Sequence, residues 1–171
     1  MSNLLRLVLA GLFCTVFSVA YAGFEEDYEK QAWQEIQYQL PGAPKKENLI
    51  AFYVSAATDN QSFVDLTTIS VGTDGVIRYV LLIQTAGGAR NVTFEGMRCE
   101  TRERRMYASG RLDGSWSKSR KNEWEPIREA VANRQYAALF FDYFCPGGVI
   151  SRSSEEIVGA LRAGIHPDNR R

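Results

Sequence analysis

Three acidic residues stand in or beside segments that read as β-strands: Asp65, Glu95 and Glu100. Two facing carboxylates about 5 to 9 Å apart can cleave a glycosidic bond without help from histidine. The sequence gives no distances between these acids, and a strand carboxylate near an arginine is more often half of a surface ion pair. A carboxylate-dependent hydrolase acting on cell-wall glycan is therefore kept as the alternative function.

Other catalytic chemistry has little support in the chain. The single histidine, His166, lies near the C-terminus. Ser115 and Lys118 match the S-x-x-K pattern of penicillin-recognising enzymes, but the companion S-D-N and K-T-G motifs are absent. There is no G-x-S-x-G, H-E-x-x-H, G-x-G-x-x-G or Walker sequence. We therefore predict no catalytic residue, no metal site and no cofactor.

Charge is balanced overall but not along the chain. The 20 Lys and Arg residues match the 20 Asp and Glu residues, yet residues 90–134 hold 11 basic and 7 acidic side chains. Aromatic residues are interleaved with these bases, a pattern that can bind nucleic acid, but the export predicted below argues against that partner. The candidate binding face lies around one predicted hairpin and consists of Arg78, Arg90, Glu95 and Arg98. Taken singly, each could equally belong to an ion-paired rim of the sheet.

Residues 1–22 have the layout of a secretory signal peptide. A positive charge at Arg6 precedes an apolar run of 11 residues, and small residues at Ala20 and Ala22 suggest cleavage after Ala22. A retained membrane anchor is the alternative, but a bilayer needs roughly 20 apolar residues. We predict a periplasmic protein with no transmembrane anchor after processing.

Two cysteines remain after that cleavage, Cys99 and Cys145. In an oxidising compartment an even number of thiols favours disulfide formation, and two thiols allow only one pairing. Two buried free thiols are the alternative. We predict a Cys99–Cys145 disulfide.

The elements that position these residues read mainly as an antiparallel sheet. Strands are predicted at residues 49–55, 63–71, 76–84 and 90–99, with one or two more within 102–117. Short turns at residues 72–75 and 86–89 connect neighbouring strands, which requires antiparallel pairing. If the second hairpin is symmetric, Arg78 lies beside Gly96 and Val80 beside Phe94. The strand at 76–84 is apolar on both sides, which predicts a central position with both faces covered.

Helices are expected mainly in the C-terminal part. Pro126 followed by Ile127, Ala130 and Val131 suggests one helix, and Ser153 with Glu156 has the spacing of a capping box that opens another. Residues 136–144 fit either a buried strand or a helix. Residues 33–40 also fit either a strand or a helix, because their apolar residues match both the helical repeat and the alternation of a strand. The tail, residues 168–171, is expected to be disordered.

The block Asp74–Tyr79 (DGVIRY), together with Gly88–Cys99 (GARNVTFEGMRC), resembles the centre of the CNP-like family of bacterial envelope proteins. The likeness spans residues 63–101 and extends more loosely to Trp116, Trp124 and Cys145. The resemblance implies a small exported protein with no established activity, cofactor or catalytic residue to carry over.

Together these observations predict a single α+β domain at residues 23–167, an antiparallel sheet with a few helices packed on it. The leading functional interpretation is a non-enzymatic binding module of the cell envelope. Its partner would be an envelope protein or polymer.

Overall fold

The computed structural model describes residues 32–129 and 133–165. The predicted signal peptide, residues 1–22, and the predicted tail, residues 168–171, lie outside the described residues. The described residues from Trp33 onward belong to one compact unit.

The described residues contain one sheet of eight strands, and every neighbouring pair is antiparallel. The strands are β1 (Leu49–Phe52), β2 (Gln61–Asp65), β3 (Ser70–Val71), β4 (Val76–Gln84), β5 (Arg90–Arg98), β6 (Glu103–Gly110), β7 (Trp116–Lys118) and β8 (Glu125–Pro126). Their order is β1-β2-β4-β5-β6-β7, with β3 also paired to β4 and β8 to β6. The predicted α+β class with an antiparallel sheet is confirmed.

Strands β4 and β5 pair in the predicted register, with Arg78 opposite Gly96 and Val80 opposite Phe94. Seven consecutive residues of β4, from Val76 to Leu82, are buried. The strand is therefore covered on both faces in the interior of the sheet, as its apolar pattern predicted.

The predicted strand at 63–71 is divided into β2 and β3. The Oδ1 atom of Asp65 accepts hydrogen bonds from the backbone N–H of Thr67 at 3.0 Å and from its hydroxyl at 2.6 Å. Such local side-chain bonds stabilise a turn in place of a continued strand. The chain bends after Asp65 and rejoins the sheet at Ser70.

The helical layer begins with α1 (Arg134–Ala138), which continues as a π-helical segment, Leu139–Phe144. Residues 136–144 are thus helical. The prediction of a helix beginning at Pro126 is wrong for the described residues. Pro126 pairs with Glu103 in the sheet, and Ile127 donates its N–H to the carbonyl of Arg102. Residues 130–132 lie outside the described residues.

Helix α2 (Ser154–Ala163) begins where the spacing of Ser153 and Glu156 predicted. The Ser153 side chain accepts a hydrogen bond from the Glu156 N–H, and Gly164 closes the helix in the left-handed conformation at φ 79°. The Glu156 carboxylate accepts from the N–H of Arg152, one residue earlier than a capping box requires. Short 3-10 turns lie at Lys46–Asn48 and Pro146–Gly148.

The two faces of the sheet are covered differently. On the helix face, alternate residues of β4 and β5 pack against α1, the π-helical segment and α2: Ile77, Tyr79, Leu81 and Met97. The predicted Cys99–Cys145 disulfide is confirmed, and it joins the chain just after β5 to the end of the π-helical segment. The opposite face carries a smaller cluster of Val80, Phe94 and Tyr107. Residues 33–41 cross it without regular secondary structure. We call this segment the strap and the face beneath it the strap face.

Candidate functional site

The strap is held at both ends by indole hydrogen bonds. At its start, Trp33 Nε1 donates to the backbone carbonyl of Asp74 at 2.8 Å. At its end, Trp116 Nε1 donates to the carbonyl of Pro41 at 2.7 Å. Between them, the N–H of Ile36 donates to Asp74 Oδ2 at 3.1 Å. The strap is therefore fixed across β4, β5 and β6, although it belongs to no strand.

Glu35 anchors the middle of the strap. Its carboxylate accepts from Arg78 Nη2 at 3.2 Å and from Arg105 Nη1 at 2.5 Å, and it also accepts from the Tyr107 hydroxyl. Burial raises the pKa of Tyr107, as does the hydrogen bond to Glu35, so the phenol stays protonated and donates. Charge-assisted bonds of this kind are stronger than neutral ones. Glu35 thus fastens the strap to three positions that are distant in sequence.

Tyr107 reaches Glu35 because the sheet leaves room for it. The β5–β6 register shifts between Phe94 and Glu95, so Tyr107 is the extra residue of a β-bulge. Its ring then lies over Gly96, where an added Cβ atom would stand 2.2 Å from the tyrosine hydroxyl oxygen. Only glycine at position 96 permits this packing.

Arg78 is buried and binds a second carboxylate. Its Nη2 and Nη1 atoms donate to Asp74 Oδ2 at 2.6 Å and Oδ1 at 3.2 Å. Burial alone would raise the pKa of Asp74, but hydrogen bonds from Arg78 and from the N–H of Ile36, with the arginine charge, lower it overall. Asp74 remains ionised, and the cluster of Glu35, Asp74, Arg78 and Arg105 is balanced in charge.

The helix face buries Glu95 completely. Its carboxylate accepts from the hydroxyls of Thr93 at 2.7 Å, Tyr136 at 3.2 Å and Tyr79 at 3.3 Å, and Arg104 Nη1 lies 4.0 Å away. Burial raises the pKa of Glu95 above its usual value, and these partners oppose that rise only in part. The arrangement gives Glu95 no access to solvent or substrate.

The structure places the four candidate binding residues in different environments. Arg78 and Glu95 are both buried, but on opposite faces of the sheet. Arg78 pairs with Gly96 and Glu95 pairs with Tyr79, and because these two pairs are adjacent along the strands, their side chains point to opposite faces. Arg98 stacks on Trp33 at 3.9 Å from the ring centre and pairs with Glu103 at 3.4 Å. Arg90 is exposed at the start of β5. The four residues therefore do not share a single face, and Arg90 is the most open of them.

The three candidate acids of the alternative hydrolase are also separated. Val64 faces the helical layer, so the next residue of β2, Asp65, points to the strap face, whereas Glu95 points to the helix face. Asp65 is only 2% exposed and binds Thr67, and Glu100 is exposed in the turn after β5. No two of these acids both reach solvent, so they cannot flank one glycosidic bond.

Arg90 borders a concave region that we call the hairpin-end cleft. It has a volume of about 680 Å³ and is lined by Pro44, Arg90, Val92, Arg111 and the fully exposed Leu112, among others. Among the described residues no carboxylate lies within ion-pair distance of Arg90 or Arg111. The cleft therefore presents two guanidinium groups, the carboxylate of Asp113 and an apolar wall to solvent.

The described part of the chain holds no group of three or more His, Cys, Asp or Glu side chains placed to bind a metal ion. Nor does any helix in the described ranges combine the length and apolar character of a membrane span.

Comparison with known proteins places these features in a family. The sequence profile of the CNP1-like family matches residues 28–162. The chain belongs to the CNP1-like family. This confirms the resemblance seen at Asp74–Tyr79 and Gly88–Cys99. The matched region includes the strap, all eight strands and both cysteines of the disulfide.

One relative is cryptic neisserial protein 1 of Neisseria gonorrhoeae. The two are 26% identical over 152 residues, which cover 79% of this chain and 74% of the relative. No solved structure matches the chain. The CNP1-like assignment therefore rests on sequence, and the geometry described above carries the functional argument.

Sequence reasoning missed Glu35, Asp74, Arg105 and Tyr107 as a cluster. One signal for it was present, namely an arginine in the middle of a strand that is apolar on both sides. A buried arginine needs a carboxylate partner, and the glycine predicted opposite Arg78 marked where other groups could approach.

Proposed function

We propose that this CNP1-like protein is an exported, periplasmic binding module of the cell envelope that recognises an anionic group on a partner protein or polymer. The observation that carries the proposal is the hairpin-end cleft, where Arg90 and Arg111 face solvent and form no ion pair within 4.0 Å among the described residues, with the Asp113 carboxylate in electrostatic range of Arg111 alone. Guanidinium groups match carboxylate and phosphate groups through paired hydrogen bonds. The apolar wall of Val92 and Leu112 adds contact area beside these charges.

The compartment is supported by the Cys99–Cys145 disulfide, whose cysteines are both buried. Such bonds persist in oxidising compartments and are rare in the cytosol. The composition of residues 1–22 supports the same proposal. We expect the mature chain to begin at Gly23, and the intact mass of protein released from the periplasm tests this. Recovery of the unprocessed chain from the cytosol would contradict it.

The binding proposal is tested by reversing charge in the cleft. The mature protein is immobilised and challenged with a detergent extract of the native envelope, alongside an Arg90→Glu/Arg111→Glu variant. We expect recovery of the specific partner to fall about tenfold or more, because like charges then face each other across the contact.

The matched control is Arg162→Glu, a charge reversal at an exposed position on α2 in the helical layer. Its recovery should equal that of the wild type, and all variants should stay folded, with cooperative thermal unfolding. Equal recovery by the double variant and the control would refute a binding role for the hairpin-end cleft.

A further inference from the structure

The pairing within the β4–β5 hairpin determines which way the backbone groups of Arg90 point. The N–H of Thr85 donates to the carbonyl of Ala89 at 2.9 Å, so these two residues form a hydrogen-bonded pair. Such pairs recur at every second residue along an antiparallel ladder, and the next one joins Ile83 to Asn91. The N–H and C=O of Arg90 therefore point away from β4, toward the β6 side of β5.

No strand lies beside those two backbone groups in the described part of the chain. The β5–β6 ladder ends at the pair Thr93–Ser109. Beyond this pair the β6–β7 turn bonds to itself, because the N–H of Arg111 donates to the carbonyl of Ser115 at 2.8 Å. Within the described ranges no hydrogen bond reaches the N–H or C=O of Arg90. The two hairpin ends thus leave a gap, and a free strand edge forms one side of it.

The hairpin-end cleft occupies this gap, which is open at its outer end and closed at its inner end. Arg90 lines one side of the cleft, and Arg111 and Leu112 line the other. At the inner end, Gly110 lies so close to β5 that an added Cβ atom would stand 3.1 Å from the Cβ atom of Val92. A chain extended along Arg90 therefore cannot continue past Val92 in the plane of the sheet. The gap suits the end of a polypeptide better than a segment that runs through it.

Charge decides which end of a polypeptide the cleft favours. Two arginines, Arg90 and Arg111, line it together with one acid, Asp113. The Asp113 carboxylate already accepts from the N–H and the hydroxyl of Ser115, at 2.9 and 2.7 Å. The excess positive charge repels an N-terminal amine and attracts a C-terminal carboxylate, which guanidinium groups bind through paired hydrogen bonds.

We infer that the hairpin-end cleft binds the C-terminal end of a partner protein, paired in an extended conformation with the free edge at Arg90. The Arg90 N–H donates to the peptide backbone and its C=O accepts from it, as in other cases where a peptide adds to a sheet edge. The terminal carboxylate lies near Arg111, and the fully exposed Leu112 contacts an apolar side chain close to the terminus. This inference rests on the proposed function and names the partner of the same cleft.

The first test uses two libraries of random pentapeptides, one with free C-terminal carboxylates and a matched one with amidated C-termini. The mature protein is immobilised, and the retained peptides are identified by mass spectrometry. We expect the free acids to be retained at least about tenfold more than the amides, because only they carry the terminal charge. Equal retention of both libraries, or retention of neither, would overturn the inference.

The second test follows backbone amide exchange with the best-retained free-acid peptide. The Arg90 N–H should exchange rapidly in the free protein and at least about tenfold more slowly with saturating peptide, because it then donates to the peptide. The Asn91 N–H, which faces β4, is the internal control and should be protected in both states. Protection of Arg90 in the free protein, or unchanged exchange when the peptide is bound, would contradict strand pairing.

A variant pair tests the apolar contact. Leu112→Ser should weaken binding of the same peptide about tenfold, since less apolar surface is then removed from water. The matched control is Val149→Ser, at an exposed apolar position that does not line the cleft. Equal affinity of the two variants would overturn the assigned position of the peptide.

The envelope pulldown distinguishes this inference from the proposed function on which it rests. If the Arg90→Glu/Arg111→Glu variant loses its envelope partner but the wild type retains no free-acid peptide, the anion-binding role stands. The C-terminal partner is then rejected in favour of another anionic group.

Discussion

Each face of the sheet buries a carboxylate beneath a different cover. On the helix face, Glu95 lies between the sheet and α1, surrounded by three hydroxyl donors and by Arg104 at the ion-pair limit of 4.0 Å. On the strap face, Glu35 is part of the irregular strap, and its side chain binds Arg78 and Arg105 directly. Glu95 is bound mainly by neutral hydroxyl donors, with one guanidinium at 4.0 Å, whereas two guanidiniums bind the Glu35 carboxylate directly.

The two carboxylates differ in importance because the helical layer and the strap are attached to the sheet by different kinds of contact. The helical layer is attached by a large apolar core and by the Cys99–Cys145 disulfide, so Glu95 is one contact among many. The strap has few buried apolar contacts, and Ile36, Tyr38 and Leu40 remain partly exposed. Its attachment therefore depends on polar bonds, chiefly those of Glu35 and Asp74.

The largest expected effect is at Glu95. Replacing Glu95 by Ala should lower the free energy of unfolding by about 3 kcal/mol or more, because the hydroxyls of Thr93, Tyr79 and Tyr136 lose their acceptor and a cavity remains. Urea unfolding at neutral pH measures this. Glu95→Gln keeps an acceptor oxygen and nearly the same volume, so it should cost less. An alanine variant as stable as the wild type would contradict the buried network.

A smaller loss is expected at Glu35. Glu35→Ala should lower the free energy of unfolding by about 2 kcal/mol, because charged hydrogen bonds to Arg78 and Arg105 are lost. The strap should also loosen, and since Trp33 packs against Trp124 with ring centres 5.9 Å apart, tryptophan fluorescence should change.

The matched control for that change is Glu47→Ala, which removes an exposed acid that forms no described ion pair. It should leave both stability and fluorescence unchanged. If Glu35→Ala behaved like this control, the strap would not depend on Glu35.

The smallest expected effect is on the pH dependence of the free energy of unfolding. Asp74 on the strap face and Glu95 on the helix face should change it in opposite directions. The pKa of Asp74 is lowered from 3.8 in the folded state, so its stabilisation is lost as pH falls through that lower pKa. The pKa of Glu95 is raised from 4.5, so the folded state loses stability as pH rises from 4.5 to the higher folded pKa.

Unfolding free energies measured across the acid range in the wild type, Asp74→Asn and Glu95→Gln would separate these contributions. Asp74→Asn should remove part of the loss at low pH, and Glu95→Gln should remove the decline above pH 4.5. Parallel curves for all three proteins would show that neither carboxylate titrates differently in the folded state.

Much of the sheet could be predicted because the pairing of strands across short turns depends on residues that are close together in sequence. The register of β4 and β5 follows from symmetric pairing about a short loop, so it depends on residues that lie close together in sequence. The break after Asp65 was missed because a single side chain, bonded to Thr67, outweighs the strand preference of its neighbours. Pro126 illustrates the reverse case, since a residue suited to a helix start is placed in β8 by pairing with Glu103.

The strap and its cluster could not be predicted from local patterns. Glu35 is separated from Arg78 by 43 residues and from Arg105 by 70. Nothing around residue 35 distinguishes this carboxylate from the nearby acids Glu25, Glu26, Asp27 and Glu29. Similarly, the placement of Arg78 and Glu95 on opposite faces follows from strand alternation, but their burial depends on distant segments.

The long separation between Glu35 and its partners has a consequence for the order of folding. The strap is synthesised before the strands that receive it, yet its docking site exists only once β4, β5 and β6 have paired. Contacts between distant residues require closure of long loops and form late. The strap leaves the ribosome before the strands on which it docks, and it is therefore expected to be the last of these segments to reach its native position.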